Sequence, residues 1–109
     1  MDKVIRNNKV AVLYSPEFGV GWYSWNKDYP ECLFLPEIVK LVEKNKHNEI
    51  DEALMKILLK QENNEVFSFY CDGAEDLCIK WLDEGTHFYI NEYDGFETIQ
   101  MLDDIKLIA

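Results

Sequence analysis

Apolar and polar positions follow two rhythms along this chain, and the change between them near Asn63 predicts its architecture. Lys9–Ser15 (KVAVLYS) is a nearly continuous apolar run with β-branched residues, stopped by Pro16, and reads as a strand buried on both faces. Between Glu17 and Pro30 (EFGVGWYSWNKDYP), glycine, proline and aromatic residues mix without a period, which predicts a long ordered loop. A short strand is expected at Cys32–Leu35. Pro36 suits the first position of a helix, with Ile38, Leu41 and Val42 on one face and Asn45, Lys46 and His47 at its end. Asn48 is the expected N-cap of a second helix, with Asp51 at its third position. There Ile50, Leu54, Ile57 and Leu58 recur at helical spacing, and Asn63-Asn64 ends the element.

Beyond that point the pattern is one of strands: Val66–Cys71, Leu77–Leu82, Thr86–Tyr93 and Phe96–Met101. Turn signals at Asp72-Gly73, Glu84-Gly85 and Asp94-Gly95 separate them. A two-residue type I′ turn at Asp94-Gly95 pairs Tyr93 with Phe96, Glu92 with Glu97, Asn91 with Thr98, Ile90 with Ile99 and Phe88 with Met101. Period two then puts Phe88, Ile90, Ile99 and Met101 on the core face, and Tyr89, Asn91, Tyr93, Phe96, Thr98 and Gln100 on the other. The expected fold is α+β: an N-terminal strand, two helices, then a C-terminal antiparallel β-meander, in a single domain spanning 1–109.

Hydrophobic residues make up 48% of the chain and aromatic residues 14%, ample for a packed core. The opening residues lack the apolar stretch of a signal peptide, and no apolar run is long enough for a membrane span. Three cysteines (Cys32, Cys71, Cys78) have no framework spacing, which fits reduced thiols and a cytoplasmic location. A monomer or small homo-oligomer is expected.

Charge changes the picture most. The net charge is −10, and residues 1–61 carry as many basic as acidic side chains. All of the excess therefore lies between Glu62 and Ala109, where Lys80 and Lys106 are the only basic residues. Such a surface repels nucleic acid and anionic lipid and steers toward basic protein surfaces.

Specific chemistry is sparse. Glu92 opposite Glu97 places like charges together, which is mildly destabilising unless both splay into water at the hairpin tip. Alternatively, the two carboxylates await an Arg or Lys of a partner. The rest of a sugar-cleaving site is missing. Cys71-Asp-Gly-Ala-Glu-Asp-Leu-Cys78 matches neither zinc nor calcium spacing, so its cysteines read as small, partly buried hydrophobes. Phe18-Gly-Val-Gly-Trp22 lacks the third glycine and the helix of a phosphate loop. Gly19 and Gly21 read instead as positions of special backbone conformation. His47 and His87 build no catalytic set. No catalytic residue, metal site or cofactor is assigned.

Two stretches taken together carry a resemblance. Tyr14-Ser-Pro-Glu-Phe-Gly-Val-Gly-Trp22 is one. The other is Gly73-Ala-Glu-Asp-Leu-Cys-Ile-Lys-Trp81, continuing to Glu84-Gly-Thr86 and Glu92-Tyr-Asp-Gly95. They resemble small uncharacterised acidic proteins of bacteriophages and prophages. The resemblance supplies no activity and no catalytic residue. It implies a context, the host cytoplasm, in which small acidic proteins act by occupying a host protein.

The expectation is a non-enzymatic acidic interaction protein that binds a basic protein surface rather than nucleic acid or membrane. In its sharpest form it is a nucleic-acid mimic that inhibits a defence nuclease, as an anti-CRISPR or anti-restriction protein. Glu75, Asp76, Asp83, Glu84, Glu92, Asp94 and Glu97 would stand in for phosphates, with Tyr93 and Phe96 flanking them. A second candidate surface is the aromatic loop with Trp22, Tyr23, Trp25 and Tyr29. The alternative function is a small-ligand-binding or ligand-processing pocket walled by residues 18–29.

Overall fold

A computed structural model describes residues 2–102; Asp103, Asp104 and Lys106 of the acidic half lie outside the described residues. Strand β1 (Ile5–Arg6) turns through Asn7-Asn8, both at positive φ, into β2 (Lys9–Tyr14). Helices α1 (Pro36–Glu43) and α2 (Glu52–Leu58) follow, then β3 (Cys78–Asp83), β4 (Phe88–Tyr93) and β5 (Phe96–Met101). The α+β order of strand, two helices and C-terminal antiparallel strands holds. Its pairing is divided: β1, β2 and β3 form one antiparallel sheet with β2 at its centre, and β4 with β5 forms a separate hairpin.

The continuous apolar run of β2 has a direct structural reason. Ala11 and Leu13 face a core built with Ile38, Val39 and Val42 of α1, Met55 of α2, and Trp22 and Phe69. Val10 and Val12 face the other way, onto Leu33, Phe34, Leu82 and Ile99, where the hairpin packs. The register Val10↔Leu82, Ala11↔Trp81 and Leu13↔Ile79 keeps each pair on its own side. β2 is thus the middle layer between the helices and the hairpin, and such a strand needs no polar face.

The hairpin has the expected register from Phe88↔Met101 to Tyr93↔Phe96. Asp94 (φ 49°) and Gly95 (φ 82°) both lie in the left-handed region, as a type I′ turn demands. On its inner face Ile99 is buried, while Phe88, Ile90 and Met101 are half-buried.

Several local expectations are corrected. Cys32–Leu35 is not a strand: Pro30–Leu33 forms a 3-10 turn leading into α1. Asp51, not Asn48, caps α2, and its Oδ1 accepts from the Leu54 N–H at 2.8 Å. The face of α2 on the core carries buried Met55, with Leu59 just beyond it and the expected Leu54 and Leu58 half-buried beside them, whereas Ile57 is 58% exposed. The helix stops at Leu58, with Lys60 in the left-handed region. Val66–Cys71 joins no sheet. Its main chain is tied by side chains instead: Asn26 bonds both the N–H and the C=O of Tyr70, and Glu52 accepts from the Phe69 N–H.

Candidate functional site: the hairpin tip and the loop beneath it

Glu97 organises this end of the molecule. It sits on the inner face of β5, two residues before buried Ile99, and is itself 0% exposed. Its Oε1 accepts from the Ser15 N–H at 2.8 Å. Its Oε2 accepts from the Trp22 N–H at 3.0 Å, the Ser24 N–H at 2.8 Å and the Ser24 hydroxyl at 2.7 Å. No basic side chain pairs with it among the described residues. Four donors replace the water that a buried carboxylate loses, which is the condition for keeping a charge inside.

The same bonds shape the aromatic loop. Ser15, Trp22 and Ser24 turn their main-chain donors inward around one carboxylate, so residues 15–24 wrap the Glu97 end of β5. Trp22 is fully buried, and its indole N–H donates to the Cys32 carbonyl at 2.9 Å. Gly19, at φ 77°, donates its N–H to the Asp94 carbonyl at 2.6 Å, joining the loop to the hairpin turn. Gly21 has an ordinary φ and is needed for space: a Cβ there would lie 2.6 Å from the Trp25 ring. At Gly73 a Cβ would run into the Gly21 carbonyl, so the 72–76 turn also closes against this loop.

On the outside, this joint displays aromatic rings. Phe18 (57% exposed) and Tyr93 (77% exposed) meet edge-on at 6.3 Å between centroids, and Phe18 lies 4.8 Å from Phe96. Tyr89, 43% exposed, continues the same outer face of β4. Glu17 and Asp94, exposed, adjoin the rings in the chain, and Glu92, exposed on the other face of the tip, accepts from the Gly95 N–H of its own turn with Oε1. Sequence reasoning placed Phe18 in the wall of the 18–29 loop and missed its contact with the hairpin tip. Its position beside two glycines in the loop gave no sign of a partner more than seventy residues away.

The expected site residues are therefore redistributed. Glu92, Tyr93, Asp94 and Phe96 come together at the tip. Glu97 does not join them: it is an interior ligand of the loop, unavailable to a partner, and the splayed tip pair does not exist. Glu75, exposed, and Asp76, half-buried, lie on the 72–76 turn at the same end of the sheet as Ser15. Asp83 and Glu84 sit at the opposite end, one β3 length away, about 17 Å at strand rise. There Asp83 lies 3.9 Å from Lys9, and the Glu84 N–H donates to the Asn8 carbonyl.

The second candidate surface divides. Trp22 belongs to the core, and Tyr23 is half-buried against Val10, Phe34 and Ile99. Trp25 packs on Tyr70 at 4.6 Å and Tyr29 on Phe67 at 5.3 Å between centroids, both pairs tilted, at the rim of a hollow of about 270 Å³. A deep apolar pocket walled by residues 18–29 is not formed, because Trp22 fills the space inward of them.

Two of the thiols, Cys32 and Cys71, are shifted away from the reactive thiolate. Burial pushes the Cys32 thiol well up, with the Glu97 and Glu31 carboxylates adding to it. Burial, then the carboxylates of Glu52, Asp51 and Asp72, pushes Cys71 up to about 12. Among the described residues no helix is long and apolar enough to cross a membrane, and no cluster of His, Cys, Asp and Glu has the arrangement of a metal site. In comparisons with protein-family models, curated proteins and solved structures, the chain matches none.

Proposed function

We propose that this is a non-enzymatic interaction protein that occupies a basic surface of another protein, and that its contact face is the hairpin tip with Phe18. One observation carries this reading: Phe18 and Tyr93, large and exposed, are held in place by a buried hydrogen-bond network, with Glu17 and Asp94 adjoining them in the chain and Glu92 on the other face of the tip. Interfaces concentrate their energy in a few aromatic anchors, while surrounding charges set orientation and approach rate. The excess of −10 lends long-range attraction to a basic partner.

In the narrower form, the partner is a nucleic-acid-handling defence enzyme of a bacterial host, and this acidic phage-type protein inhibits it from the host cytoplasm. The carboxylates that can take the place of phosphates are Glu92 and Asp94 at the tip, with Glu75 and Asp76 at the same end of the sheet.

The test uses the intact protein and its Phe18→Ala, Tyr93→Ala double variant as baits in a bacterial lysate. The expected result is a basic, nucleic-acid-binding protein retained by the first bait and lost by the second. That enzyme's cleavage should also be blocked by the intact protein. Identical captures by both baits would remove the tip from the proposal.

A further inference from the structure

The partner-facing hairpin has an unused strand edge, and its chemistry narrows the partner. In a two-residue hairpin the closing pair, Tyr93 and Phe96, exchanges hydrogen bonds, and bonded pairs then alternate along the ladder. Tyr89, Asn91 and Tyr93 of β4 therefore point their main-chain groups at β5, whereas Phe88, Ile90 and Glu92 point theirs outward. Two bonds fit this phase. Glu97, outward-pointing on β5, donates to the Ser15 carbonyl at 2.9 Å, and Leu102 donates back to His87 at 3.1 Å, one step beyond Phe88↔Met101.

The outward groups of β5 are thus engaged at the tip, while among the described residues no main chain pairs with the outer edge of β4. Exposed edges are usually blunted by lysine, proline or a bulge. The stretch Phe88–Met101 contains none of these residues, and its register runs without a bulge. β3 also ends its sheet, but Lys80 stands in the middle of it.

Charge identifies the occupant. Glu84 precedes β4, Glu92 and Asp94 close it, and no Lys or Arg lies between Trp81 and Asp104; Asp83, also before β4, faces Lys9 at 3.9 Å and shares a hollow with Lys3. The exposed outer face of β4 is Tyr89, Asn91 and Tyr93, neutral side chains suited to contact with a neighbouring strand. We infer that β4 receives an extended partner segment as an added strand, one with a neutral centre and Lys or Arg toward both ends. Main-chain bonds to Phe88, Ile90 and Glu92 would fix it, with Glu92 and Asp94 holding one end and Glu84 the other. A second copy of this chain is disfavoured, because it would bring two chains of charge −10 together. The inference rests on the proposed basic partner and specifies how that partner is gripped.

Amide hydrogen exchange by NMR on the intact protein tests it, with the peptide Lys-Lys-Thr-Val-Thr-Val-Thr-Lys-Lys as probe. Binding should slow exchange at the amides of Phe88, Ile90 and Glu92 by at least about tenfold, leaving the already bonded Tyr89, Asn91 and Tyr93 little changed. A peptide of equal charge, Lys-Lys-Pro-Pro-Pro-Pro-Pro-Lys-Lys, has no N–H on either edge of its centre, cannot extend the ladder and should bind at least about tenfold more weakly. Equal binding of both peptides without alternating protection would overturn strand addition while leaving the basic-partner reading intact. If neither binds more tightly than Glu-Glu-Thr-Val-Thr-Val-Thr-Glu-Glu, both readings fail.

Discussion

Ser15 and Glu97 hold each other twice: the Ser15 N–H donates to the Glu97 carboxylate at 2.8 Å, and the Glu97 N–H donates to the Ser15 carbonyl at 2.9 Å. One bond uses a side chain and the other does not. The end of β2 and the hairpin are thereby locked at a single point, and the loop after Ser15 is gathered by the same carboxylate.

Removing that carboxylate should be the most damaging single change at this end of the molecule. Glu97→Ala leaves three main-chain donors and the Ser24 hydroxyl facing a cavity, and is expected to cost about 3–5 kcal/mol. Glu97→Gln keeps one acceptor but turns an amide donor toward other donors, so about 1–3 kcal/mol is expected. Urea denaturation of the two variants measures both. A loss below about 1 kcal/mol for the alanine variant would show that the loop does not depend on these bonds.

Asn26 should behave as a second fastener, sharing Trp22 with Glu97. Its side chain bonds the Trp22 carbonyl at 2.7 Å and both main-chain groups of Tyr70, at 2.8 and 3.0 Å. Asn26→Ala is expected to cost about 2–3 kcal/mol, with faster amide exchange at Tyr70. Unchanged exchange there would mean that residues 66–71 are held by ring packing alone.

These two residues also mark where the sequence is and is not legible. The two-sided burial of β2, the Pro36 start of α1, and the register and turn of the hairpin all follow from local pattern, because each is fixed by neighbours in the chain. Period two implies that Glu97 shares a face with Ile99 and Met101, but the expectation kept it at the tip, in water or awaiting a partner. Only the general rule that acids seek water argued against its burial. What overrides that rule is a set of donors from residues 15–24, a distant segment whose main-chain directions no pattern reveals. Val66–Cys71 is the converse case. Its alternation suits a strand, but its main chain is satisfied by Asn26 and Glu52, so it joins no ladder. The tip aromatics were legible singly, whereas their contact with Phe18 was not.

Space is restricted where the 72–76 turn meets the loop. Gly73 has an ordinary φ, so Gly73→Ala tests crowding alone. An added methyl group must displace the Gly21 main chain, at an expected cost of about 1–3 kcal/mol. Thermal unfolding of this variant beside Gly85→Ala separates the two causes. Gly85 has φ 87° and open space around its Cβ direction, so its cost would be conformational only.

The raised Cys71 pKa predicts both reactivity and alkaline stability. At pH 8 its thiolate is scarcer than that of an ordinary cysteine of pKa 9.0, so iodoacetamide should modify it at least about a hundredfold more slowly in the folded protein than in urea. A raised folded value means that the native state retains a proton the unfolded chain has released. The contribution is complete below about pH 9 and is lost as pH climbs toward about 12. Tyr14 and Tyr70, also raised chiefly by burial, act in the same direction. Urea midpoints should fall above pH 9, and less steeply in Cys71→Ala.

The displayed acids should affect binding rather than folding. Glu92→Gln with Asp94→Asn preserves an acceptor for the Gly95 N–H and a residue suited to positive φ, so stability should move by no more than about 0.5 kcal/mol. Association with the lysine-ended valine peptide should slow several-fold and become less sensitive to salt. Glu37→Gln with Glu49→Gln makes the same change of net charge in the neutral half. If the two pairs weaken association equally, net charge alone accounts for the effect and the tip has no special part.

The joint between loop and hairpin is made from main-chain atoms and one interior carboxylate, whereas the side chains of Phe18, Tyr93 and Asp94 only project from it. Scaffold and recognition are therefore separable in this small chain. Positions 18 and 93 can be rewritten to follow a target that changes, at little expense to folding, and position 94 only with residues that accept a positive φ. Gly73 and Glu97 must stay as they are, whatever the tip is asked to recognise.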